Sequence, residues 1–174
     1  MPPRTETLVI KDSSVVIDLV NAGLFPLWFS LGIRTMTTDF VESELRKGSQ
    51  WDDVAPLITD GLFVIESFDT ADVLKLIRLS KDHGISNPDG SVLFLTQKES
   101  AILLTGDKKL RKACQALHIE CHGTLWVIDR LLREEVITFS RAIAALTLLV
   151  SKGGRLPEVE VTTRLEQWSQ GRMK

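Results

Sequence analysis

A chain of 174 residues with 44% hydrophobic and 25% charged side chains has the size and mix of one globular domain with a sizeable core. Its formal net charge of −2 excludes a protein that coats nucleic acid by bulk charge, while leaving room for a local basic patch. No apolar run approaches the ~20 residues of a bilayer span, the N-terminus lacks the basic-then-apolar layout of a secretory signal, and Cys114 and Cys121 build no disulfide framework, so a cytoplasmic, reducing location without a membrane partner is expected.

Strands and helices alternate along the chain. A strand at 7–11 feeds a helix at 13–23, and Phe25-Pro26-Leu27-Trp28 begins another helical piece. Residues 34–38 read as a short strand, with Asp39 as the N-cap of the next helix. The β-rich run 62–66, bounded by Asp60-Gly61, predicts a third strand. Leu74, Ile77 and Leu79 predict a helix over 70–81, and the loop Gly84 to Pro88 precedes another over 89–98. Residues 101–105 form a fourth strand, 107–117 a helix and 118–122 a fifth strand, before helices at 124–134 and 139–150. This alternation predicts an α/β domain over 1–150, with a mostly parallel central sheet of four or five strands flanked by helices. In the tail 151–174, Gly153-Gly154 ends a helix and Pro157 restarts one. Val161, Leu165 and Trp168 keep near-helical spacing, so the tail docks on the domain or on a partner, its own domain being the expected surface.

Four carboxylates stand at or near element ends. Asp12 closes the apolar run 7–11, Glu44 sits within Val41-Glu42-Ser43-Glu44-Leu45, Asp89 opens a helix, and Asp107 follows Leu104-Thr105-Gly106. Such acids are ordinarily caps and turn formers; Asp89 after Asn87-Pro88 and Asp107 after Thr105-Gly106 both suit that role. In an open α/β sheet, however, chemistry gathers at the carboxyl ends of the strands. Two carboxylates about 4 Å apart repel by about 4 kcal/mol at an effective dielectric of 20. A cluster of them therefore takes up a proton or a hard cation such as Mg2+ or Mn2+. Glu42 competes with Glu44: with Asp39 as cap it falls where a capping-box acid reaches back, whereas Glu44 beside Leu45 borders the buried stripe. Asp18 reads as a surface charge or helix-face partner.

The surroundings of these acids resemble the PIN domain family of metal-dependent ribonucleases, which includes the toxins of many toxin–antitoxin pairs. The resemblance rests on Asp12-Ser13-Ser14-Val15-Val16-Ile17, on Thr35-Met36-Thr37-Thr38 followed by Glu44-Leu45-Arg46, on Asp89-Gly90-Ser91-Val92-Leu93 and on Leu104-Thr105-Gly106-Asp107-Lys108-Lys109-Leu110. Gly123-Thr124-Leu125 adds a helix start like that of one subgroup, and the whole spans about residues 5–137. It implies a three-layer α/β/α sandwich with the first strand in the middle. It also implies an Mg2+- or Mn2+-dependent endoribonuclease in which Asp12, Glu44, Asp89 and Asp107 hold the metal, with Ser13 and Thr105 steadying a carboxylate or a bound water. An antitoxin protein and a homodimer are the partners such a family suggests. The family often supplies another acid after the fourth; Lys108 and Lys109 stand there instead and thin the set for a second ion. A catalytically silent PIN-like module that binds RNA or protein is the alternative.

Arg46 and Lys47 follow Glu44, and Lys108, Lys109, Arg111 and Lys112 follow Asp107. Charge runs are ordinarily solvated helix faces, yet if both acids face one cleft these bases border it and hold RNA phosphates. Aromatic platforms for bases are not evident: Tyr is absent, and the four Trp lie mostly in apolar segments. His118 and His122 with Cys114 and Cys121 lack the paired spacing of a zinc site. A receiver-like domain wants an adjacent acidic pair after the first strand, which Lys11-Asp12-Ser13 does not supply. No Ser-His-Asp arrangement, P-loop or dinucleotide glycine motif is legible.

Overall fold

The computed structural model describes residues 8–173; Thr7, expected to open the first strand, lies outside them. β1 (Leu8–Lys11), β2 (Arg34–Thr38), β3 (Phe63–Glu66), β4 (Ile102–Leu104) and β5 (Cys121–His122) form one parallel sheet in the order β3-β2-β1-β4-β5. The expected parallel sheet thus has five strands, with β1 at its centre.

Parallel neighbours need crossovers. α1 (Ser13–Asn21), α2 (Phe25–Trp28) and a 3-10 turn (Phe29–Leu31) lead from β1 to β2. α3 (Asp39–Leu45) and α4 (Trp51–Thr59) lead from β2 to β3. α5 (Thr70–His83) and α6 (Asn87–Glu99) carry the chain from β3 back past β1 to β4, and α7 (Lys108–Ala116) continues to β5. The path runs outward in one direction through β3 and in the other through β5, so right-handed connections put the helices of the two arms on opposite faces. α6 lies across β1, β2 and β4 with α5 and α7 beside it. On the other side α1 packs with α2, α8 (Thr124–Arg133) and α9 (Phe139–Ser151), and α10 (Glu158–Ser169) lies against α9. The reversal makes the space between the carboxyl ends of β1 and β4 a topological switch point, where ligands of open α/β sheets bind.

Both faces of the sheet are covered by apolar side chains. Val15, Val16 and Leu19 of α1, Phe25 and Trp28 of α2, and Val92, Leu93 and Leu95 of α6 are buried. The helices α5 and α6 meet closely because position 90 is glycine: a Cβ there would come within 1.8 Å of Ser80 Oγ. The buried indole of Trp28 donates to Thr35 Oγ1 at 2.7 Å, so a polar edge in the core costs little. No single helix among the described residues is long and apolar enough to cross a membrane; α1 and the turns after it form an apolar pair bent by 112° that faces this core.

Several boundaries differ from the sequence-based expectation. α4 has no predicted counterpart, because Pro56 inside it removes an amide donor and masks the helical pattern. Thr38, not Asp39, caps α3: its hydroxyl accepts from the Val41 amide at 3.3 Å. The fifth strand shrinks to two residues, and His118 leaves it with φ +54°. The expected helix 89–98 starts at Asn87, with Ser86 as cap. In the tail, α10 buries Val161 and Trp168, and Arg164 Nη2 meets Asp129 Oδ2 of α8 at 2.7 Å.

Candidate active site

The carboxyl end of β1 meets that of β4 through a backbone bond, the Asp12 amide donating to Leu104 O at 3.0 Å. This puts the Asp12 side chain at the switch point, only 3% exposed. Three close donors fix it, with Ser13 Oγ more distant at 3.5 Å from Oδ1. The Ser13 amide donates to Oδ1 at 2.7 Å, while Thr105 Oγ1 and Ser14 Oγ donate to Oδ2 at 2.7 and 2.9 Å. Ser14 is itself pinned by the Gly106 amide, which donates to its Oγ at 2.9 Å.

Two of the other acids are tied to Asp12 through one hydroxyl each. Ser13 Oγ donates to Glu44 Oε2 at 2.9 Å, so the side chain next to Asp12 in sequence reaches the helix after β2. Thr105 Oγ1, while donating to Asp12, accepts from the Asp107 amide at 3.0 Å. Asp89 makes itself felt electrostatically. Burial pushes the Asp12 carboxyl up from 3.8 to about 6; the Thr105 hydrogen bond opposes this, and the negative charge of Asp89 adds to it.

Asp89 and Asp107 also serve their helices. Asp89 closes a capping box with Ser86, accepting from its hydroxyl at 2.7 Å through Oδ2. Asp107 caps α7, its Oδ1 accepting from the Lys109 and Leu110 amides at 2.8 Å each. In both, these contacts occupy one carboxylate oxygen. The two acids line a cleft of ≈ 780 Å³ with Lys108, Lys109 and Arg155. Glu42 points elsewhere: it pairs with Arg46 at 2.7 Å, whose guanidinium lies 4.2 Å from the centre of the Trp51 ring. Arg46 is therefore engaged on its own helix, and neither it nor Lys47 lines the cleft of Asp89 and Asp107. Arg111 reaches toward a neighbouring cavity instead.

A cation fits this donor set in chemistry more than in cage geometry. Among the described residues no three His, Cys, Asp or Glu groups come close enough to form a ready-made metal cage. Mg2+, however, keeps several waters and takes one or two carboxylates, and Asp12 is a buried carboxylate with hydroxyl partners and, among the described residues, no Lys or Arg bonded to it. At the end of β2, Asp39 Oδ1 is likewise buried without a hydrogen-bond partner among the described residues.

The family model described as "DUF3368: PIN domain" matches residues 8–170. The chain belongs to the PIN domain family. The match runs beyond the stretch 5–137 expected from motifs and takes in α10. Among solved structures, this PIN domain is similar to PAE2754 from Pyrobaculum aerophilum at 14% identity and TM-score 0.53, covering 76% of this chain and 94% of that one. It is also similar to FitAcB from Neisseria gonorrhoeae at 18% identity and TM-score 0.45, covering 67% and 98%. The first of these supports the fold alone. None of the curated proteins matches the sequence significantly.

Other residues at this end of the PIN domain take their partners from distant segments. Ser14 lies within the first motif, yet it is held by the Gly106 amide, 92 positions away. Asp18 is a helix-face partner, accepting from Thr124 Oγ1 at 2.6 Å, and its carboxyl is raised by burial. That bond explains the threonine of Gly123-Thr124-Leu125. His122 and Trp126 stack with ring centres 4.5 Å apart and planes 7° from parallel, an aromatic surface that is not evident from sequence.

Proposed function

We propose that this chain is a metal-dependent endoribonuclease that hydrolyses phosphodiesters of single-stranded RNA, with Mg2+ or Mn2+ as cofactor. The observation that carries the reading is Asp12: a buried carboxylate at the switch point of a PIN domain, raised to about 6 and balanced by hydroxyls instead of a cation. Asp12, Glu44, Asp89 and Asp107 would hold the ion. When bound, it would neutralise charge growing on the phosphodiester and make an attacking water more acidic. The protein's own groups have separate tasks. Thr105 and Ser14 spend their hydroxyl protons on Asp12 Oδ2, which holds the carboxylate in one orientation. Ser13 couples Asp12 to Glu44. Lys108 and Lys109, on the wall of the Asp89–Asp107 cleft, would fix the RNA phosphates. A restraining antitoxin-like protein and a homodimer belong to the same proposal.

A second reading has one observation in its favour. Lys108 and Lys109 occupy the place of a further acid, and no three acids close into a cage among the described residues. A catalytically silent module that binds RNA would look the same. Single-stranded RNA incubated with the protein and Mn2+ decides between them: cleavage is expected, and chelator should stop it. Equal cleavage by wild type and Asp12→Asn would betray a contaminating nuclease and sink the claim. Tight RNA binding without cleavage in any divalent metal would establish the silent module.

A further inference from the structure

Beside the acid-lined cleft lies a second cavity of ≈ 410 Å³, walled by Lys108, Arg111, His122, Trp126, Arg155 and Arg164 among others. The two share Gly106, Lys108, Arg155, Leu156 and Pro157, so they adjoin. Part of their common wall comes from the link between α9 and α10, which brings Arg155 to both.

The chemistry of the second cavity is that of a nucleotide. One wall is flat and rigid. The His122 ring lies parallel to the Trp126 indole at 4.5 Å, its Nε2 stands 2.8 Å from Glu120 Oε1, and Trp28 backs Trp126 at 6.3 Å. With 29% of its side chain open to solvent, His122 leaves an accessible outer surface to this stack. The rest of the lining carries four cations, Lys108, Arg111, Arg155 and Arg164, with Glu160 and neutral residues between them. Arg164 is matched by Asp129 and Glu160, but Lys108, Arg111 and Arg155 form no ion pair among the described residues. Arg111 fits there because position 123 is glycine: a Cβ would come within 3.0 Å of its Nη1.

We propose that this cavity is a nucleotide subsite for single-stranded RNA, stacking one base on the His122–Trp126 pair and holding its phosphate among Lys108, Arg111 and Arg155. The choice of RNA rests on the nuclease reading; the site itself does not need the cleavage step. A base can reach the stack only when unpaired, so the subsite selects single strands, and stacking makes it tolerant of base identity.

The test is binding of a labelled RNA hexamer, and of the same ribose-phosphate backbone without bases, in excess chelator so that nothing is cut. Wild type should bind the base-bearing strand about 10-fold more tightly. His122→Ala should lose most of that preference, and His122→Phe, which keeps a ring, should retain it. Arg155→Ala should weaken both strands alike and flatten the dependence of log Kd on log salt by about 0.7. Far-UV circular dichroism checks each fold; should His122→Ala not fold, His122→Phe and Arg155→Ala carry the test. Equal binding of the two strands by wild type, or an undiminished preference in folded His122→Ala, would overturn the subsite. Base preference without cleavage in Mn2+ would remove the nuclease reading and keep the subsite; cleavage together with equal binding of the two strands would do the reverse.

Discussion

Asp129 and Asp12 are both largely hidden carboxylates of this PIN domain, and they are balanced in opposite ways. Asp129 of α8 faces Arg164 of α10, which approaches both of its oxygens at 2.7–3.1 Å with side chains 21% and 19% exposed. Among the described residues Asp12 at the end of β1 has only neutral donors, three hydroxyls and one amide, and its carboxyl rises to about 6. A bidentate guanidinium satisfies charge and geometry together, so the first pair latches α10 to the domain and needs nothing more. Hydroxyls satisfy geometry and leave the charge, so the second site is stable as a neutral acid or beside a cation. The difference separates a carboxylate whose charge the fold itself matches from one whose charge it leaves unmatched.

The largest effect expected from breaking that contrast is on activity. Asp12→Asn should lower Mn2+-dependent RNA cleavage by about 10²-fold or more, as loss of one strong transition-state stabiliser does. Asp18→Asn, which alters a hydrogen bond to Thr124 on the neighbouring helix, should cost far less in the same assay.

Stability should move the other way. Asp12 titrates at about 6 when folded against 3.8 in an open chain, so the folded state binds its proton more tightly. The stability this confers on metal-free protein is complete below about pH 3.8 and lost as pH rises through about 6, the full change being roughly 3 kcal/mol. Urea titrations in chelator at pH 5 and pH 8 should show about half of it, after comparison with Asp12→Asn, which lacks the titration. Mg2+ or Mn2+ should raise the Tm of wild type by mass action and do so much less for Asp12→Asn. An identical metal response in both would remove Asp12 as a ligand.

Arg164→Ala should destabilise the fold by about 1–2 kcal/mol, because it leaves Asp129 half-buried and unpaired. That loss should be the same with and without divalent metal, which calorimetry can check. The smallest effect belongs to the cleft wall. Lys109→Ala should weaken RNA binding a few-fold and reduce the salt slope by about 0.7, leaving the metal-dependent Tm shift intact.

What could be read in the sequence was local. The apolar run before Asp12, the Thr105-Gly106-Asp107 turn and the alternation of elements each lie within a few residues, the range over which strand and helix periods and caps operate. Where the expectation slipped, neighbouring residues offered equivalent roles: Thr38 and Asp39 are both able caps, and Pro56 argues against a helix that packing against β3 nonetheless supports.

The sequence by itself determined a parallel α/β domain with four acids delivered in order to the ends of its elements, since pleat, helical period and capping are written in adjacent residues. Only the tertiary structure decided what those acids meet. Thr105 reaches Asp12 across 93 positions and Ser13 reaches Glu44 across 31, which ties Glu44 to the residue beside Asp12 and leaves Glu42 with Arg46. Burial, which raises Asp12, and the stacking of His122 on Trp126 beside Arg155 depend likewise on which segments the fold lays side by side. Hydrogen bonding, desolvation and stacking act over a few ångströms of space, whatever the distance along the chain.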